Sequence, residues 1–236
     1  IIWNNMISAI IKKFLFINIV FLLAVNTINA QENKFLSSGD SDPEATKLLK
    51  NVLDEIEAIK MYELKFGFSF SNPDGTGTEQ NGTIRSSENK YRLELGDQLI
   101  IQDGNYVWYY LKDRNEVQIN DLDENPANSL SPNYFLNFYQ NEEYVYAITN
   151  EYTNKQGHKI VRIDFKPIGK FSEYKKIGID LNINSNRPVS LLILNSDGSR
   201  MRFTDLNLKS IVSDKQDFIF DLSKYPGIRI EDLRLD

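Results

Sequence analysis

"PEATKLLKNVLDEIEAIKMYELKFGFSF", residues 43–70, changes period halfway along. In its first half Ala45, Leu48, Leu49, Val52, Leu53, Ile56 and Ile59 recur at steps of three and four. That spacing draws one apolar stripe along a helix of about four to five turns. Asp42 and Pro43 mark its start: a side-chain acceptor for the first free amides, then a residue whose missing N–H has no helical partner to lose. In the second half Tyr62, Leu64, Phe66, Phe68 and Phe70 alternate with Glu63, Lys65, Gly67 and Ser69, so one face of a strand is aromatic and the other polar. One amphipathic helix therefore leads straight into a sheet.

Downstream the period stays at two. The turn-rich "SNPDGTGTEQNG" (71–82) precedes "TIRSS", "YRLEL" (91–95), a Gly96-Asp97 turn, "LII" (99–101), an Asp103-Gly104 turn, the aromatic "YVWYYL" (106–111) and "EVQI" (116–119). A pause at 121–146 contains "LSPNYFLNFYQ" (130–140), which reads as a short helix from Pro132. Then come "KIVRIDF" (159–165), "KIGIDLNI" (176–183), "VSLLIL" (189–194), "SRMRFTDLNL" (199–208) and "DFIFDL" (217–222). Strands separated by turn signals roughly every 8 to 12 residues make an antiparallel meander, here of about nine to eleven strands. A sheet of that length must bury one face, and two helices are too few to cover it flat. The predicted class is therefore mainly β (α+β): a curved antiparallel sheet forming an open, incomplete β-barrel, capped by the N-terminal helix and the short mid-chain helical insert. An incompletely filled apolar interior of this kind binds apolar ligands.

The first thirty residues are of another composition. Lys12 and Lys13 precede the apolar run "FLFINIVFLLAV" (14–25), and "NTINA" ends at Ala30. This is the pattern of a cleavable secretory signal peptide, with an apolar run well short of the roughly 20 residues that span a bilayer. Residues 1–11 do not fit the pattern and are set apart as an upstream extension. The expected organisation is a signal peptide at 1–30, a flexible lead-in at 31–41 and a single domain at 42–236, free in the exported compartment. Cysteine is absent, which excludes disulfides, thiolate metal sites and the lipid-attachment residue of a lipoprotein. The net charge is −6, more negative once the two leader lysines are gone, and such a surface repels nucleic acid.

Several of these stretches together resemble the outer-membrane lipoprotein carrier family, LolA. They are "FGFSF", "NGTI" (81–84), "KYRLEL" (90–95) and above all "DGNYVWYY" (103–110). The family's Asp-Gly-x-x-Val/Leu-Trp-x-Tyr pattern is met by Asp103, Gly104, Val107, Trp108 and Tyr110, and an earlier one by Gly82, Ile84, Lys90, Tyr91 and Arg92. The order of elements agrees over roughly 43–233. What the resemblance implies is that the exported compartment is the periplasm and the fold an open β-barrel with a helical lid, whose cavity shelters lipoprotein acyl chains between an inner-membrane ABC-type releasing complex and an outer-membrane receptor. Carried onto this chain, the cavity lining is Phe66, Phe68, Phe70, Ile84, Leu93, Leu95, Trp108 and Tyr110, and the lid is the stripe of Leu48, Leu49, Val52, Leu53 and Ile56. An Arg-Pro pair that helps latch the lid in the family would fall near Ser87-Glu88-Asn89, where it is missing; Arg85 and Arg92 are the nearest substitutes.

The residues by themselves leave the lining open between a ligand cavity and an ordinary core. Tyr106, Trp108 and Tyr110 share one face of their strand and Val107, Tyr109 and Leu111 the other, so both faces are large and either could contact ligand. Catalysis lacks parts: the single histidine, His158, follows Gly157 at a turn, and there is no cysteine. "NDLDEN" (120–125) lacks the glycine and terminal glutamate of a calcium loop. "PDGTGT" (73–78) has no helix after it and reads as a hairpin tip. The function expected is that of a non-enzymatic, monomeric carrier without metal or cofactor. The alternatives are a lipoprotein- or lipid-sensing regulatory module on the same fold, expected to carry a further C-terminal domain, and a carrier of another lipid.

Overall fold

In the computed structural model of the protein, which describes residues 37–122, 143–212 and 215–234, Asp42 starts helix α1 (Pro43–Glu57). Its carboxylate accepts from the amides of Glu44 (2.8 Å) and Ala45 (3.4 Å) and also from Ile148 (3.3 Å), far away in sequence. The chain then runs through β1 (Met61–Ser71), β2 (Gly77–Ser87), β3 (Lys90–Leu95), β4 (Gln98–Gln102), β5 (Tyr106–Leu111) and β6 (Glu116–Asp121). It continues with β7 (Tyr144–Thr153), β8 (Lys159–Pro167), β9 (Tyr174–Asn182), β10 (Arg187–Asn195), β11 (Arg200–Ser210) and β12 (Arg229–Asp232). The expected signal peptide, the start of the expected lead-in and the expected helical insert at 130–140 fall outside the described residues.

All twelve strands form one sheet in the order β12-β6-β5-β4-β3-β2-β1-β11-β10-β9-β8-β7. Two meanders, β1 to β6 and β7 to β11, are joined where β1 pairs with β11. The end strands β12 and β7 do not pair with each other, so the sheet is open, mainly antiparallel and curved, as the sequence predicts. Bulges sharpen its bend: β11 takes up an extra residue opposite Phe66, with Asp205 at φ 52°, and β7 slips between Ile148 and Asn150.

The register explains which face is buried. One row reads Ile148, Ile163, Ile179, Leu191, Phe203 and Phe68 across β7, β8, β9, β10, β11 and β1. The next reads Tyr146, Phe165, Ile177, Ile193, Met201 and Phe70. Helix α1 lies on this face, burying Ala45, Leu49, Val52 and Ile56 against Tyr146, Val161, Ile163, Phe165, Leu181 and Ile193. We call it the inner face.

Three details tie the helix start to β7. Asp42 N–H donates to the Tyr146 carbonyl (2.9 Å), the Tyr146 amide donates to Ser41 Oγ (3.3 Å), and the hydroxyls of Thr46 and Tyr146 are 3.1 Å apart. The end of the predicted flexible lead-in is thus a 3-10 turn (Ser38–Asp40) leading into a fixed anchor. The Glu44 amide above all, then that of Ile148, pulls the Asp42 pKa below its ordinary 3.8, against desolvation. A lowered pKa stabilises the fold at pH values above the unfolded-state pKa, and the contribution is lost as pH falls through the folded-state value. Asp42→Ala is expected to cost about 1 kcal/mol near neutrality. In urea melts, the gap to the wild type should close on acidification below about pH 4.

One expectation is corrected near the C-terminus. Residues 217–222 are not a strand but belong to two 3-10 turns (Lys215–Phe218 and Leu222–Lys224) and the short segment between them, which crosses the opposite, outer face. Phe218 and Phe220 are buried there, and the chain returns to the sheet as β12, parallel to β6. A parallel neighbour needs such a crossover. Among the described residues no helix is long and apolar enough to cross a membrane.

Candidate functional site

Beyond the helix, the inner face continues across β1 to β5 as a second apolar surface. Phe66, Tyr91, Leu93, Ile100 and Val107 are its buried members, and Leu64, Phe68, Ile84, Leu95, Tyr109, Phe203 and Leu206 pack on them only partly buried. Leu64 and Phe203 belong to both clusters, so helix-covered and helix-free halves form one continuous surface. Phe203 sits between the rings of Phe66 and Phe68, at 5.5 and 5.1 Å, and joins the halves.

Gly82 is required by this surface. It lies directly across from Phe66, whose ring covers it; a Cβ at Gly82 would meet Phe66 Cζ at 2.3 Å. The glycine of "NGTI" is therefore the seat of an aromatic ring. Gly82→Ala is expected to push the Phe66 ring off this seat and to cost about 1–3 kcal/mol as overpacking, read as a lower thermal midpoint.

Of the predicted lining, Phe66, Phe68, Ile84, Leu93 and Leu95 share the inner face and the same cluster. Phe70 lies on that face by alternation but stands apart from the cluster. With Phe68, Ser69, Asn81, Arg200 and Arg202 it lines a mostly polar groove of about 800 Å³ at the β1–β2 hairpin. That polar lining suits hydrocarbon poorly; the apolar cluster suits it well. Trp108 and Tyr110 are a correction, because both point to the outer face. There Phe220 stacks on the Trp108 indole (5.4 Å, 7° between planes) and on Tyr225 (4.8 Å, 10°), and Tyr110 packs on both rings. The sequence leaves Val107 and Tyr109 undecided and gives no sign that Tyr91, Ile100 and Phe203 belong to this surface. For β5 the deciding signal was the pairing of Tyr109 with Ile100, and of Ile100 with Leu93.

The "DGNYVW" motif thereby gains a physical account. Gly104 takes the positive φ (101°) that the turn requires. Asp103 accepts from the amides of Asn105 (2.8 Å) and Tyr106 (2.9 Å) and from the Trp108 indole N–H (2.8 Å). Desolvation works to raise the Asp103 pKa, but these donors and nearby Lys90 outweigh it and hold the carboxyl below its ordinary value. The motif fixes a turn and the indole on the outer face, while its Val107 faces the inner surface.

The predicted lid residues Leu49, Val52, Leu53 and Ile56 are buried and Leu48 partly so. Neither substitute for the missing latch arginine can reach them. Arg85 pairs with Glu63 (3.0 Å) and Asp217 (3.4 Å), and Arg92 with Glu94 (2.7 Å), all on the face away from the helix. The helix is anchored instead through Asp42, Thr46 and Tyr146. His158 is exposed in the β7–β8 turn, and among the described residues no three His, Asp or Glu side chains converge as a metal site.

Comparison with one solved structure supports this architecture at the level of the fold. An uncharacterized conserved protein from Thermus thermophilus superposes with a TM-score of 0.52 at 10% identity, over 80% of this chain and 99% of the other. A LolA superfamily protein from Nitrosomonas europaea gives 0.37 at 10% identity over 75% and 97%. The MucA/MucB complex of Pseudomonas aeruginosa gives 0.40 at 18% identity over 75% and 61%. No curated protein matches the sequence. The sequence profile of the family described as outer membrane lipoprotein carrier protein LolA, however, matches residues 44–171, more than half of the chain. The match takes in helix α1, the Gly82 seat, the "DGNYVW" turn and the first strands of the second meander, and on it the chain belongs to the LolA family of outer membrane lipoprotein carrier proteins.

Proposed function

We propose that the protein is a non-enzymatic periplasmic carrier that shelters lipoprotein acyl chains on the inner face of its sheet, between an inner-membrane ABC-type releasing complex and an outer-membrane receptor. The observation that carries this is the set of partly buried side chains Phe68, Ile84, Leu95, Tyr109 and Leu206 on the inner face, continuous with the helix-covered core. A buried methylene is worth about 0.8 kcal/mol, so a 16-carbon chain represents on the order of 12 kcal/mol of transfer energy. Such a chain needs a broad apolar surface and a cover that can move. Helix α1, joined to β1 by a short connection and held at its other end by a few hydrogen bonds to β7, is suited to be that cover.

The test is extraction. Protein purified from the periplasm is incubated with inner-membrane vesicles carrying labelled lipoproteins and its bound species are read by native mass spectrometry. Soluble one-to-one complexes are the expected result. A protein that is repeatedly empty and leaves the lipoproteins in the vesicles would sink the proposal.

A further inference from the structure

Among the tyrosines of the apolar interior are Tyr62, Tyr91 and Tyr109, and the hydroxyl of one of them, Tyr62, is buried and unused by the fold. Tyr62 is 4% exposed, and its Oη is closed off from solvent with no hydrogen-bond partner. Across from it on β2 is Ser86, also buried, whose hydroxyl donates to the Lys90 carbonyl (3.3 Å). Across from Ser86 on β3 is Tyr91, 3% exposed, two strand spacings or about 10 Å from Tyr62. Tyr109, half-buried on β5, completes the group within the same apolar cluster as Tyr91. Burial raises the pKa of all three tyrosines, with Ser86 slightly opposing at Tyr62 and Tyr109 adding to the rise at Tyr91, so each remains a neutral O–H donor.

Leaving a buried hydroxyl unpaired costs stability, and a phenylalanine in the same place would avoid that cost. Tyr62 belongs to the cluster beneath α1 and Tyr91 to the cluster beyond it, so the hydroxyls span the boundary between the covered and uncovered halves. A donor waiting there fits an acceptor brought in by the ligand. Hydrocarbon has none, but the carbonyl oxygen that joins an acyl chain to its glyceryl group does.

We propose that Tyr62, with Tyr91 and Tyr109, forms a donor stripe that hydrogen-bonds the ester carbonyl oxygens of a diacylglyceryl ligand and selects ester-linked chains over plain alkyl chains. This rests on the acyl-carrier reading and specifies which part of the ligand the polar groups recognise. A site built to hydrogen-bond its ligand discriminates against an analogue lacking the partner atom, because the buried donor is then left unsatisfied.

The experiment compares two synthetic ligands of equal chain length, a dipalmitoylglyceryl-cysteine peptide and its dihexadecyl ether counterpart, by displacement of a fluorescent apolar dye from the periplasmically purified protein. The wild type is expected to prefer the ester by roughly three- to tenfold for each hydrogen bond made. Tyr62→Phe should fold at least as stably, since it removes an unsatisfied group, and should bring the ester affinity down towards that of the ether. Tyr62→Phe/Tyr91→Phe/Tyr109→Phe should erase the preference. Equal affinity of the wild type for both ligands, or a preference that survives the triple substitution, overturns the donor stripe while the carrier reading stands. Failure of both ligands to displace the dye overturns the carrier reading and the stripe with it.

Discussion

Phe68→Glu is expected to leave the protein folded and to lower acyl-chain affinity by more than about 100-fold. Phe68 is partly exposed and lies where the two apolar clusters meet, against the Phe203 ring at 5.1 Å. In the ligand-free protein a carboxylate at this position keeps access to water, so the change loses mainly packing with Phe203. Once an acyl chain covers it, the carboxylate must shed its hydration in an apolar surrounding. Burying a charge that way costs several kcal/mol, enough for the loss stated. Circular dichroism and dye displacement on the same sample separate the two effects. If the variant unfolds, Phe68 belongs to a closed core; if it binds as the wild type does, the acyl surface lies elsewhere.

Phe220→Ala should give the opposite pattern, lost stability with retained binding. Phe220 is buried on the outer face between Trp108, Tyr110 and Tyr225, where it holds the C-terminal crossover to β4, β5 and β6. Truncating a buried phenylalanine typically costs about 3–5 kcal/mol. For a chain of this size that corresponds to a thermal midpoint lower by roughly 10 °C. Acyl binding, measured well below that midpoint, should persist because no inner-face residue changes. An unaltered midpoint would show that the crossover is not packed as described.

These two variants probe opposite faces, a distinction that was only half legible in the sequence. For β1 alternation sufficed, because Phe66 and Phe68 face Gly67 and Ser69. For β5 it did not: Tyr109 and Trp108 are both large aromatics, and the faces are sorted only by pairing with β3 and β4, which a single strand's pattern does not encode. Strand β7 went unread for a related reason. Its Tyr144, Tyr146 and Ile148 alternate, but the bulge after Ile148 breaks the phase, and Thr149, Asn150 and Glu151 are exposed at the sheet's edge. Residues 217–222 gave the reverse error. Phe218 and Phe220 alternate like a strand's, yet a 3-10 turn and the segment after it, lying over a sheet, present one apolar side just as a strand within it does. The helix was the clearest element, since a stripe at steps of three and four has few other uses and Asp42 is both its cap and its anchor.

The junction of β1 with β11 also sets the order of assembly. Every other antiparallel pair in the sheet joins neighbours in the chain, whereas this one brings Tyr62 to Ser210 and Ser71 to Arg200. Hairpins close quickly and distant pairings slowly, because the loop entropy is lost before the contacts are gained. Strand β1 is made early and β11 late, so until they meet, an aromatic strand edge stands open to pairing with other chains. Lys65, Gly67 and the bulge at Asp205 interrupt that edge where it is most apolar, and the slow step of folding is also the step at which the interior first becomes a single surface.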